Sequence, residues 1–174
     1  MTIIPLRLAI LQALTKHLEG VTKAAGYSHD LAGSVYRGRN LVGADLNRRP
    51  ALAILEAPRP DIAVFTGEWS DMRADSWTLL LQGMADDDKR NPSDPAYYLC
   101  ADVEQHLARL IAVRPETGGP RYPQEHLLGG LITSLEIAPP VVRPPEDKIS
   151  QTAFFFLPLR VGVAGETGRP YTAA

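Results

Sequence analysis

Leu11, Leu14, Leu18 and Val21 recur at spacings of three and four, with Ile4, Leu8 and Ile10 beside them. That period places the apolar side chains on one face and predicts an amphipathic helix over about residues 5–19. Pro5 is tolerated in its first turn, where no intrahelical N–H is needed, and Gly20 is a natural stop. "GYSHDLAG" is turn chemistry. In "SVYRGR" the pattern changes to period two, which predicts a strand with Arg37 and Arg39 on one face. "ALAILEA" (51–57) and "SWTLLLQGM" (76–84) are apolar runs of strand length. A second helix follows, with Asp94 as N-cap, Pro95 at the first helical position and a stripe of Leu99, Val103, Leu107, Leu110 and Ile111. Arg114–Pro115 ends it. "LITSLEI" (131–137) and "TAFFFLPLRVGV" (152–163) read as strands joined by the proline-rich "APPVVRPPEDKIS". Pro158 has no N–H to give a ladder, which predicts an edge or bulged position for the last strand. The tail from residue 165 to 174 is expected to be loose.

This order of elements predicts an α+β fold: a mostly antiparallel sheet of about five strands packed by two main helices. No internal repeat or second domain is visible, so residues 1–174 read as one domain. The connection "PRPDIAVFTGEWSDMRAD", residues 58–75, is longer than the roughly 12–15 residues usual for an unstructured loop. It reads as a long hairpin arm presenting Val64, Phe65, Trp69 and Asp71, or as a hairpin extension tucked onto its own sheet. On the last strand, alternation puts Phe154 and Phe156 on one side and Phe155, Leu157 and Leu159 on the other. Both faces are apolar and both need cover. The chain's own helices supply it, or another chain buries one face, with Phe155 as a candidate contact.

Composition narrows the class. Hydrophobic content of 45% and charged content of 22% are ordinary globular values and exclude wholesale disorder. The single cysteine, Cys100, excludes an internal disulfide framework and fits a reducing compartment. No apolar run reaches the roughly 18 residues of a membrane span. The first residues carry Arg7 within the apolar stretch and no basic region before it, so they read as a helix of the mature protein and not a leader. The net charge of −2 is unevenly spread: residues 1–55 carry +4, residues 56–104 carry −7 and residues 105–174 carry +1. A protein that grips phosphates would show a clear basic excess. A basic first third beside an acidic middle suits a chain that meets copies of itself or another protein.

Catalytic chemistry finds little purchase. Ser34 in "AGSVYRG" lacks the nucleophile-elbow glycine spacing. Cys100 falls mid-helix among leucines and valines, as a packed small hydrophobe. His17, His29, His106 and His126 are dispersed, with no paired metal-ligand spacing. Asp86, Asp87 and Asp88 read as a solvated acidic turn in preference to a cation site. "GVAGETGRP" has glycines but no phosphate-binding lysine and opens no helix. Arg37, Arg39, Arg48 and Arg49 have three readings: a solvated face, ion pairing between subunits, or a grip on nucleic acid with Tyr36 stacking. No catalytic, metal or cofactor site is expected.

Taken in order, "LRLAILQALTKHLEG", "DLAGSVYRGR", "RPALAILEA", the long arm and "SWTLLLQGMADDDKRNPSDPAYYLCADVEQHLARL" resemble the tail terminator family of long-tailed bacteriophages (tail completion, minor tail protein U-like). The resemblance spans roughly residues 4–112, and the segment after residue 115 departs from it. It implies a non-enzymatic α+β subunit made in the host cytoplasm and carried at the head-proximal end of the virion tail. Such subunits close into a homohexameric ring that caps the major tail tube protein and ends its polymerisation. The ring offers a docking face to head-completion or neck proteins, and DNA passes through without specific binding. It has no catalytic residues to carry over and no membrane role. On this reading Arg37, Arg39, Arg48, Arg49, Phe65, Trp69, Asp71 and Phe155 are expected at subunit or tube interfaces. Another head–tail connector or neck protein, a small cytoplasmic enzyme and a nucleic-acid-binding accessory domain are the alternatives.

Overall fold

The computed structural model describes residues 3–42, 50–56, 71–86, 88–146 and 149–172. Helix α1 (Leu6–Leu18) begins directly after Pro5, which occupies the N-cap. Its buried side chains include Ala9, Ile10, Leu14 and Leu18, and Val21 continues the same face into the core. Helix α2 (Asp94–Leu107) has Ser93 at the N-cap, one residue before the expected Asp94. Asp94 therefore sits in the first turn, where its charge still meets the positive end of the helix dipole. Of the expected stripe, Leu99, Val103, Leu107 and Leu110 are fully buried, whereas Ile111 is exposed, because the helix ends at Leu107 and tightens into a 3-10 turn at Ala108–Leu110, well before Arg114–Pro115.

The strands are β1 (Val35–Arg37), β2 (Ala51–Glu56), β3 (Met72–Met84), β4 (Ser134–Ile137), β5 (Val141–Arg143) and β6 (Phe154–Glu166). They form one sheet in the order β1-β2-β3-β6-β4, with β5 also on β6. Among the described residues, β1 and β2 run parallel and the other paired strands antiparallel. The fold is thus α+β with a mostly antiparallel sheet, of six strands instead of five. The sixth, β5, is three residues between two proline pairs, too short to show a period. β3 starts at Met72, inside the stretch assigned to the arm, because β6 runs on to Glu166 and pairs with it. Residues 58–70 of that arm, with Val64, Phe65 and Trp69, lie outside the described residues.

β6 is not an edge strand: β3 lies on one side and β4 and β5 on the other. Pro158 is accommodated by the break between β4 and β5 in the neighbouring chain. Its carbonyl accepts from Ala138 N–H at 3.0 Å. N–H and C=O of one strand residue face the same side, so the missing donor points at the break between β4 and β5, where no ladder bond is required.

The alternation along β6 divides the apolar residues between two clusters. Phe155, Leu157, Leu159, Val161 and Val163 join α1 and α2 in the main core. Phe154 and Phe156 face the other way, with Leu41, Ala51, Ala53 and Met84. The chain after β1 crosses this second face, and Leu41 is pinned there by its N–H donating to Gln82 Oε1 at 2.6 Å. The tail is not loose through residue 172. Leu6 N–H donates to Pro170 O and Thr172 N–H to Ile4 O, at 2.9 and 3.0 Å, which ties both ends of the chain together.

Candidate functional site

Arg37 is the last residue of β1, and Gly38 follows at φ +65°, so the strand turns before Arg39. The two arginines therefore do not share a strand face as their spacing suggested. Arg37 is exposed and donates from Nη1 to Thr15 Oγ1 at 3.0 Å, while the Arg39 guanidinium lies 5.3 Å from the centre of the Tyr36 ring. Asp71 is exposed at the start of β3, and its carbonyl accepts from Thr167 N–H at 2.7 Å. Arg37 lies opposite Ile54, itself opposite Leu81, so Asp71 is ten strand residues away. At about 3.3 Å per residue the basic and acidic positions stand roughly 30 Å apart, on separate surfaces. Phe155 is 0% exposed in the core between sheet and helices, and this corrects its expected place at an interface. Arg48, Arg49, Phe65 and Trp69 lie outside the described residues.

The structure assembles a cluster that spacing alone does not reveal. The C-terminal turns of α1 and α2 bring His17 and His106 face to face, ring centres 4.2 Å apart. Each ring holds the other's backbone: His17 Nε2 donates to His106 O at 3.1 Å, and His106 Nε2 donates to His17 O at 2.7 Å. Tyr27 Oη donates to His106 Nδ1 at 2.8 Å. His17 Nδ1 stands 3.7 Å from Glu125 Oε2, and Glu125 is gripped by both Arg109 Nε and Nη2. Arg109 in turn stacks over Tyr122.

This environment favours neutral imidazoles. Burial, reinforced by the neighbouring His106, lowers the His17 pKa to about 4. Burial also pulls His106 below its ordinary range. The Arg109 hydrogen bonds hold Glu125 below the usual carboxylate range. A cleft of about 530 Å³ opens beside the pair, walled by Ala13, Lys16, Leu110, Gln124, Leu128 and Gly129. Leu128 and Gly129 belong to unusual backbone: Leu127, Leu128, Gly129 and Gly130 all have positive φ, from 49° to 87°. Two leucines in the left-handed region cost about 1–2 kcal/mol each. A signal for the pair did exist in the sequence. His106 lies three residues after Val103, on the apolar stripe, and His17 three after Leu14. A polar residue on a buried stripe is the informative kind.

The other candidate groups are placed more simply. Cys100 is buried, and burial followed by the charge of Glu104 pushes its thiol up to about 12. Ser34 is 0% exposed, its Oγ without a partner among the described residues. Asp88 closes the acidic turn by accepting Arg90 and Asn91 N–H groups. His29 is held by Asp102 at 2.7 Å. Among the described residues no group of three or more His, Cys, Asp or Glu side chains is arranged to hold a metal ion. Among them also, no helix is long and apolar enough to cross a membrane. Compared with known proteins, the chain matches no family model and no curated sequence.

Proposed function

We propose that this chain is a tail terminator subunit of a long-tailed bacteriophage, acting in a ring that caps the tail tube and receives the neck. The observation that carries the reading is the ordered run of sequence from α1 through β3 to α2, over residues 4–112. The α+β architecture is compatible with it. A closed ring needs heterologous contacts, in which one patch meets a different one on the neighbour. Arg37 and Arg39 at one end of the sheet, and Asp71 among the mixed charges of Arg73, Glu166 and Arg169 at the other, are two different surfaces of that kind.

Negative-stain imaging with native mass measurement of the purified protein tests the proposal. Sixfold rings with a central hole wide enough for duplex DNA are expected, or a monomer that caps added tail tubes and stops their growth. A twelvefold ring would move the assignment to a connector. A monomer that leaves tube growth unchanged would overturn it.

A further inference from the structure

The histidine cleft sets two hydrogen-bonding groups, His17 Nδ1 and Glu125 Oε2, side by side. A carbonyl oxygen only accepts, so the contact from His17 Nε2 to His106 O fixes the ring proton on Nε2 and leaves a lone pair on Nδ1. The depressed pKa of His17 keeps that lone pair at pH 7. Glu125, ionised and held by Arg109, is also an acceptor. Two electron-rich atoms thus face each other across 3.7 Å. One shared N–H or O–H donor, about 2.9 Å from each, satisfies both, and the pair otherwise repels.

The surroundings select the kind of donor. Lys16 and Arg109 outweigh Glu125 by one positive charge, so a cationic donor is disfavoured. Lys16 and Gln124 at the rim offer N–H groups to a carbonyl, while Leu110 and Leu128 give the cleft an apolar side. Its volume of about 530 Å³ falls in the range of small-molecule pockets. The left-handed turn at Leu128 and Gly129 forms one wall, and strained backbone of this kind concentrates at ligand clamps.

We propose that this cleft binds a small neutral carboxamide, whose N–H bridges His17 Nδ1 and Glu125 and whose carbonyl is taken by Lys16 and Gln124. The probe is N-methylacetamide, followed through the His17 Nδ1 resonance of ¹⁵N-histidine-labelled protein at pH 7. N,N-dimethylacetamide, which has no N–H, and methylammonium, which is charged, are the controls. A saturable shift is expected with N-methylacetamide alone. His17→Phe, which keeps a stacking ring, and Ala13→Trp, which adds bulk to the cleft wall, should each weaken binding at least tenfold, read for the first through a Glu125 side-chain resonance. A proton found on Nδ1 of the free protein at pH 7 overturns the proposal. So does an equal response to the dimethyl compound, tighter binding of methylammonium, or no saturable shift. These controls need only the wild-type chain, so the proposal stays testable if either variant fails to fold.

Discussion

His17 and His106 are held neutral in the folded chain, and that sets how the molecule responds to acid. An unfolded histidine titrates near 6.5, whereas His17 in the fold titrates at about 4. Between those values the unfolded chain binds more protons, so stability falls as pH falls; above 6.5 it is fully present and below 4 the loss is complete. His17 alone accounts for on the order of 3 kcal/mol across that window, and His106 adds in the same direction. Urea denaturation from pH 7.5 to 4.5 should show a midpoint nearly flat down to about pH 6.5 and falling below it, with a shallower fall in His17→Phe. A slope unchanged by that substitution would mean that the clasp is not the acid-sensitive element. Asp102 makes a comparable single-residue case, since its Oδ2 accepts Ser28 N–H, His29 N–H and His29 Nδ1–H together. Asp102→Ala strands these donors, and chemical denaturation should register a loss of about 2–4 kcal/mol, with Asp102→Asn losing less. Neither cluster is legible as a site in the sequence, because 89 residues separate His17 from His106 and only the packing of two helix ends joins them. What the sequence does show is a histidine on each apolar stripe, and that marks burial without naming the partner.

Strand-scale reasoning recovers more, because alternation and helical period are local. The division of Phe154 and Phe156 from Phe155, Leu157 and Leu159 follows from period two, and the two clusters obey it. The misses come where a neighbour overrides a local rule. Pro158 sits in a central strand because β4 and β5 break opposite it, and β3 extends to Met72 because β6 is there to pair with it. One pairing gives a sharp test. Gly83 lies directly across from Phe155, and the ring folds over the glycine in place of a side chain. A methyl group at residue 83 would overlap the Phe155 ring carbons. Gly83→Ala should therefore destabilise by about 1–3 kcal/mol, in spite of alanine's better strand propensity. Adding Phe155→Leu should recover part of the loss relative to the two single changes, with a coupling of at least about 0.5 kcal/mol in a double-mutant cycle. Additive losses would mean that the strand relieves the overlap by shifting its backbone.

At the scale of the molecule, charge is the remaining handle on assembly. The chain is −2 overall, yet +4 in its first third and −7 in its middle. Folding spends part of that difference internally: Arg7 pairs with Asp75, Asp102 with His29, and Asp88 with backbone N–H groups. Arg37, Arg39, Asp71, Asp86 and Asp94 remain at the surface or partly so, with the arginines and Asp71 at opposite ends of the sheet. If copies meet head to tail through those ends, their attraction acts between solvent-exposed groups and is screened by salt. The Debye length falls from about 10 Å at 0.1 M ionic strength to about 3 Å at 1 M. Ring formation should weaken as salt rises, with the association constant dropping at least tenfold between those conditions. Exchanging Arg37 and Arg39 for glutamate should abolish the salt dependence and the ring together, and the circular dichroism of the monomer should be unchanged. A ring that tightens with salt would locate the contact elsewhere, on the partly exposed apolar row of Leu55, Leu80 and Phe156, because salts excluded from protein surfaces strengthen apolar burial while screening charge.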